Sequence, residues 1–375
     1  MSAPTDAIES RQAWRWAVLA GLLCSLAAHG AEPSWLHRLQ LAPGFKLNLF
    51  ATGVDGARSM ALGSQGTVFV GTRRSGRVYA LTDSDRDGRS DRLRVIARGL
   101  PMPNGIAFKN GDLYVAAVNR VLRYRNIEQR LDDPPVPEVL YDKLPGAWHH
   151  GWRYIRFGPD GWLYIAIGAP CNVCNKPGVA RIARLDIHSG RLETVARGVR
   201  NSVGFDWHPR TRRLWFTDNG RDYLGDDSPA DEINRVDKNG EHFGFPFCHG
   251  GNVVDPQFGS PGVCRRYKAP AVRLGAHVAP LGLRFYTGRR FPARYRRGFF
   301  VAEHGSWNRS VKTGYRVIFV ALHNGRAGTP QPFITGWLKG QKTLGRPVDF
   351  LNLPDGSLLI SDDHAGLIYR VRAVP

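Results

Sequence analysis

The sequence predicts an all-β chain folded as a six-bladed β-propeller, on three observations. A unit of short strands and tight turns recurs six times. A strand-like segment stands ahead of the first copy. Gly 43 and Pro 25 in 375 residues suit many short strands joined by turns better than they suit helices. The chain exceeds ordinary domain size, yet propellers run this long as one unit, and it can bury a substantial core.

The six copies are SMALGSQGTVFVGTRRSGRVYAL from Ser59, NGIAFKNGDLYVAAVNRVLRYR from Asn104, WRYIRFGPDGWLYIAIG from Trp152, SVGFDWHPRTRRLWFTDNG from Ser202, PLGLRFYTGRRFPARYRRGFFVAEHG from Pro280 and PVDFLNLPDGSLLISDDHAGLIYRV from Pro347. The first four begin roughly 45–50 residues apart, the size of one four-stranded blade. The later gaps are longer, and loops between Gly220 and Pro280 absorb the excess. FKLNLFAT, from Phe45 to Thr52, alternates like a strand. It is expected to complete the last blade beside the C-terminal LIYRVRAV, removing an exposed edge. A β-sandwich does not account for six copies of one unit.

Residues 1–31 read as a secretory signal peptide. Arg11 and Arg15 precede an apolar run from Ala17 to Ala28, with small residues at Gly30 and Ala31. The run is short for a membrane span, and nothing later resembles one. Cys24 follows Leu23, where a lipoprotein signal wants a small residue, so a released periplasmic or secreted protein is expected, with residues 32–375 forming the propeller. The remaining cysteines, Cys171, Cys174, Cys248 and Cys264, are even in number, and their spacing permits two local disulfides. A c-type haem would need His after Cys174, where Asn175 stands. The net charge of +20 attracts anionic surfaces or an acidic electron-transfer partner. Scattered arginines in an exported chain argue against nucleic acid.

Several stretches carry chemistry. HHGWRYIRFGPDGWLYIAIG opens at His149; RGVRNSVGFDW contains Arg200 and Asn201; LWFTDNGRDYLGDDSPADEINRVDKNGEHFGFP contains Gly220 and Arg221. AHVAPLG holds His277, VAEHGSWNR holds His304, and GRPVD holds Arg346, while Arg58 and Asn104 head two inner strands. In this order, over residues 40–375, these motifs resemble the pyrroloquinoline quinone (PQQ)-dependent soluble sugar dehydrogenases, nearest to the L-sorbosone and aldose branch. The resemblance implies PQQ and Ca²⁺ at the mouth of a central channel. It also implies oxidation of a small sugar or aldehyde by hydride transfer to the quinone. With no haem motif after the propeller, electrons are expected to leave to an external cytochrome or quinone.

Residue by residue, the resemblance implies that His149, four before Arg153, is the base that takes the substrate proton; His150 is its rival. A group titrating near neutrality suits that task. Members that oxidise glucose carry Asp before the base; Trp148 stands here, which implies a different substrate. Arg200 and Asn201 match a pair that binds the quinone, whose three carboxylates call for guanidinium donors. Gly220 and Arg221 match a pair whose carbonyls bind Ca²⁺, with Arg221 in place of the usual Pro. The resemblance further implies cofactor contacts at His277, His304 and Arg346, with Val348 in place of the second of two closely spaced arginines. The place of Arg58 and Asn104 at the heads of inner strands makes them candidates for the same mouth.

One calcium loop is readable from the residues alone. DSDRDGRSD places Asp83, Asp85, Asp87 and Asp91 at positions 1, 3, 5 and 9, with Gly88 at position 6 and Arg94 where the terminal Glu belongs. Two rival functions share the fold: a calcium-dependent propeller lactonase, and a non-catalytic extracellular binding propeller.

Overall fold

Each repeat read in the sequence is one blade. The computed structural model describes residues 32–374; the signal peptide expected over residues 1–31, with Cys24, lies outside the described residues. Six antiparallel sheets, four-stranded at their core, follow one another along the chain. Their inner strands are Ala57–Leu62, Gly105–Lys109, Ile155–Phe157, Phe205–Trp207, Pro280–Phe285 and Pro347–Asn352. Each inner strand begins at the same end of the ring.

The second strands explain the runs of apolar residues. Val68–Thr72, Leu163–Ile167, Leu214–Asp218 and Leu358–Asp362 are buried at every position. A blade is covered by a neighbour on both faces, so both sides of its central strands must be compatible with a core. The turns before two of these strands, in GPDG and LPDG, place Gly161 and Gly356 at φ +83°, a conformation that side chains with a Cβ disfavour.

The ring closes as the alternation of residues 45–52 requires. Phe45–Ala51 pairs antiparallel with Leu367–Ala373, Phe45 opposite Ala373 and Leu49 opposite Tyr369. The Phe45 ring meets Phe291, Tyr295 and Phe333 edge-on at 4.7, 5.1 and 4.9 Å, locking the seam into the aromatic core between the fifth and sixth blades. A second tie was not legible in the sequence: Gln40–Leu41 adds to the edge strand Gln331–Thr335 of the fifth blade.

The long gap after Gly220 is an excursion within the fourth blade, whose outer strand, Val272–Ala276, arrives late. On the way, Glu241–His242 runs parallel to the outer strand of the third blade. The excursion is bridged by the expected Cys248–Cys264 disulfide, and Cys171–Cys174 forms as well. Among the described residues no helix is long and apolar enough to cross a membrane.

Candidate active site at the mouth of the channel

The leading ends of the inner strands carry Arg58, Asn104, Arg153, Asn201 and Arg346, and the loops above them close around one cavity of about 420 Å³. Arg58, His149, Arg200, Asn201, Gly220, His277, His304 and Arg346 all line it. Expected site residues far apart in sequence, from Arg58 to Arg346, therefore meet in one place, while Asn104 and Arg221 do not line it. A wider groove of about 1070 Å³, lined by His208, Arg210, Arg294 and Arg297, opens where the inner strands end. None of the expected groups lies there.

The His149–His150 loop is braced from beneath. Arg153, 1% exposed, donates from Nε to Val118 O at 3.0 Å, from Nη1 to His150 O at 3.0 Å and from Nη2 to Pro145 O at 2.6 Å. The His150 ring is buried, with Nδ1 2.8 Å from Ala169 O. A carbonyl can only accept, so Nδ1 carries the proton. At the neighbouring Gly168 a Cβ would stand 2.6 Å from His150 Cβ, so only glycine leaves room for the ring. His149 is exposed, its ring centroid 4.1 Å from that of His150. Burial and then the Arg200 charge lower the His149 pKa, and burial lowers that of His150 much further.

A second assembly joins the first, second, fifth and sixth blades. Asp363 accepts from Arg58 Nη1 and from His304 Nε2, each at 2.8 Å. Arg346 donates to the His304 and Gly305 carbonyls at 3.1 and 2.8 Å. Burial brings His304 down to about 4. Despite burial, His304 and Arg58 hold Asp363 well below the usual carboxylate range. Asn104 differs from expectation. It is fully buried and absent from the cavity wall, and its Oδ1 accepts from Arg58 Nε at 3.0 Å. Its work is to aim Arg58.

Arg200 is also more committed than its sequence context implied. Nε donates to Asn172 O at 2.8 Å, Nη2 to Asn172 Oδ1 at 2.8 Å and to Asp222 Oδ2 at 2.9 Å, and Nη1 to Asn219 O at 3.2 Å. A guanidinium has five N–H donors, so one on Nη1 is left for a ligand. Asn201 Oδ1 accepts from Trp152 Nε1 at 3.1 Å. His277 faces the cavity with Nε2 bonded to Gly225 O at 2.8 Å.

Gly220 N–H donates to the buried Asp231 at 2.6 Å, and the Arg221 side chain turns away to pair with Asp255. Neither the Gly220 nor the Arg221 carbonyl accepts a hydrogen bond among the described residues. Two unclaimed carbonyls beside the cavity are suitable oxygen donors for a hard cation.

Three wall residues, Arg73, Arg74 and Trp307, went unread in the sequence. Arg73 lies over the Trp152 ring at 4.2 Å, and burial, then Arg58 and Arg74, lower its pKa to about 10. Neither Arg73 nor Arg74 has a carboxylate partner among the described residues. Trp148 and Trp307, 64% and 66% exposed, stand on the rim. Both are exposed aromatic surface of the kind that marks binding sites.

The aspartate loop lies elsewhere, between the outer strands of the first blade. Asp83, Asp85 and Asp91 bring carboxylate oxygens within 4.8 Å of one another. Asp87 departs from the expected set: its Oδ1 accepts from Arg89 N at 2.7 Å. The loop also touches the closing strand, through Ser90 N–H to Phe50 O at 2.7 Å.

A TrAA12-like family profile matches residues 183–371. An uncharacterized protein of Borreliella burgdorferi is 35% identical over 349 residues, covering 89% of this chain and 90% of that protein. A calcium structure of a Trichoderma reesei carbohydrate-active enzyme of family AA12 superposes with TM-score 0.77 at 20% identity, covering 89% of this chain and 97% of that one. The holo form of the pyranose dehydrogenase PQQ domain from Coprinopsis cinerea superposes with TM-score 0.74 at 17% identity and the same coverage. At such identities the likeness establishes the fold, which is the one the motifs implied. With half of its length matched by the profile, the chain belongs to the TrAA12-like family.

Proposed function

We propose that this protein is an exported quinoprotein dehydrogenase, periplasmic or secreted, that oxidises a sugar or sugar aldehyde of the sorbosone or aldose type with PQQ and Ca²⁺. The observation that carries the reading is that Arg73, Arg74 and Arg346 line one cavity without a carboxylate partner among the described residues. Gathering like charges around a partly desolvated cavity is costly without a counter-ion, and PQQ brings three carboxylates. Arg58 and the free N–H of Arg200 add donors, and the unclaimed carbonyls of Gly220 and Arg221 fit a calcium ion beside the ring. A propeller lactonase would instead need carboxylates free to surround a central metal, whereas the two that line this mouth are engaged, Asp222 by Arg200 and Asp231 by the Gly220 and Ala279 N–H groups. The pyranose dehydrogenase domain of Coprinopsis cinerea and the calcium structure from Trichoderma reesei support the same pair of ligands.

When bound, PQQ would supply the two-electron acceptor that no side chain provides. The chain's own part is to bind, orient and deprotonate. His149, exposed to the cavity, takes the substrate hydroxyl proton; its depressed pKa keeps it neutral and able to accept. His150, locked by Ala169, holds the loop and stays neutral. Trp148 and Trp307 offer faces on which a sugar ring can stack. Electrons then pass to a separate acceptor, a cytochrome or a quinone, and the basic surface favours an acidic one. Titrating purified protein with PQQ, with and without Ca²⁺, tests the reading: saturable binding and sugar-dependent dye reduction are expected, and no binding would overturn it.

A further inference from the structure

We propose that the Cys171–Cys174 disulfide acts through Asn172 as a redox-sensitive clamp on the active site, with Asn172 the positioning residue. The inference rests on the quinoprotein reading for its consequence, but its geometry stands apart from it. Asn172 lies between the two bridged cysteines and uses its carbonyl and both polar atoms of its side chain on site residues. Its carbonyl and Oδ1 accept from Arg200 Nε and Nη2, each at 2.8 Å. The same Oδ1 accepts from Asp222 N at 2.9 Å, and Nδ2 donates to Asp222 O at 3.1 Å. The bridge therefore holds Arg200 against Asp222, the residue that follows the Gly220–Arg221 carbonyls.

The same segment reaches the histidine loop. Ala169 N donates to Arg200 O at 2.8 Å, and Ala169 O accepts from His150 Nδ1 at 2.8 Å. Residues 169–174 thus tie the base-bearing loop to the arginine. Arg200 is 3% exposed, so a guanidinium that loses Asn172 must re-pair within a largely buried setting. Closing the short ring between Cys171 and Cys174 removes the conformational freedom that would let Asn172 leave.

The first bridge is half-buried at both of its cysteines, as is Asn172 between them; the second is half-buried at Cys264 and closed at Cys248, 3% exposed. A dithiol reductant reaching the first bridge gives it two electrons and two protons. The S–S bond breaks, Cys171 and Cys174 become thiols, and the reductant closes its own disulfide. Asn172 is then free to move, and Arg200 and Asp222 lose a shared partner.

The test uses the full mature chain in four forms: oxidised wild type, wild type reduced with dithiothreitol, Cys171→Ser/Cys174→Ser, and Asn172→Ala. Alkylation and mass mapping confirm that Cys248–Cys264 stays closed in the reduced sample. PQQ affinity in Ca²⁺, thermal midpoint and amide hydrogen exchange at Asp222 are measured on each. Loss of an outer partner costs about 10–100-fold in affinity at comparable sites, and that weakening is expected in the three altered forms. Faster exchange at Asp222, whose N–H is bonded to Asn172, should accompany it. Unchanged affinity and exchange in a folded Cys171→Ser/Cys174→Ser protein would overturn the clamp. Should that variant fail to fold, Asn172→Ala, which keeps the bridge, carries the same test. If oxidised wild type binds no PQQ, the quinoprotein reading falls, and the exchange at Asp222 still decides the clamp.

Discussion

The Nε2–H of His304 donates to Asp363 at 2.8 Å, while the ring sits so deep that burial brings its pKa to about 4. The pair is neutral histidine against carboxylate, and Arg58 supplies the positive charge on the other side of Asp363. An unfolded histidine titrates near 6.5, so below that pH the unfolded chain binds a proton that the folded chain refuses. Stability from this group is therefore present above about pH 6.5 and is lost as the pH falls toward 4. His150, also depressed by burial, acts in the same direction. Thermal melts from pH 7.5 to 4 should show a falling midpoint, and His304→Asn should flatten part of that slope. A midpoint that rises on acidification would contradict the assignment.

His149→Ala should lower kcat by about 10²–10⁴-fold, the usual worth of a positioned base, and leave PQQ affinity nearly unchanged. His150→Asn should perturb the loop through the lost bond to Ala169, visible as a lower melting temperature. Single-turnover reduction with the two variants separates the roles. Should His149→Ala turn over normally while His150→Asn is inactive, the base is His150.

Arg73→Gln and Arg74→Gln remove cations that bond to no carboxylate, so folding should tolerate them. Each should weaken PQQ binding by roughly 1.5–3 kcal/mol, the scale of a charge-assisted hydrogen bond, about 10–150-fold. Titration of the cofactor checks this. Raised salt should blunt the effect of Arg74, which is exposed, more than that of Arg73.

Chelator treatment separates two calcium roles. Removing Ca²⁺ should abolish reconstitution with PQQ if the Gly220 and Arg221 carbonyls hold an ion. Asp85→Asn in the aspartate loop should instead lower only the calcium-dependent part of the melting temperature, with PQQ affinity intact. Equal loss of cofactor binding in Asp85→Asn would show the two sites to be one.

The repeats, the closing strand and most cavity residues were legible because a propeller writes its blade once per forty-odd residues and puts ligands at the same point in each copy. What escaped has no such period. Asp363 meets Arg58 across 305 residues, and Asn172 reaches Arg200 from a loop whose cysteines announce only a bridge. Asn104 sits at the head of its strand like the others but packs behind Arg58. Position in a repeat tells which end of the channel a residue occupies; it does not tell which side chain stands in front.

The strand that seals the ring, Phe45–Ala51, precedes the first blade in sequence, and its partner, Leu367–Ala373, follows every other strand of the described residues. Until the two pair, the sixth blade lacks its outermost strand, Phe45–Ala51, and the ring is open. An unclosed chain is thus an arc with an unsatisfied edge, able to recruit a stray strand. Closure rests on a pairing between segments at opposite ends of the fold, so it carries a large loop-closure entropy and is expected late in folding.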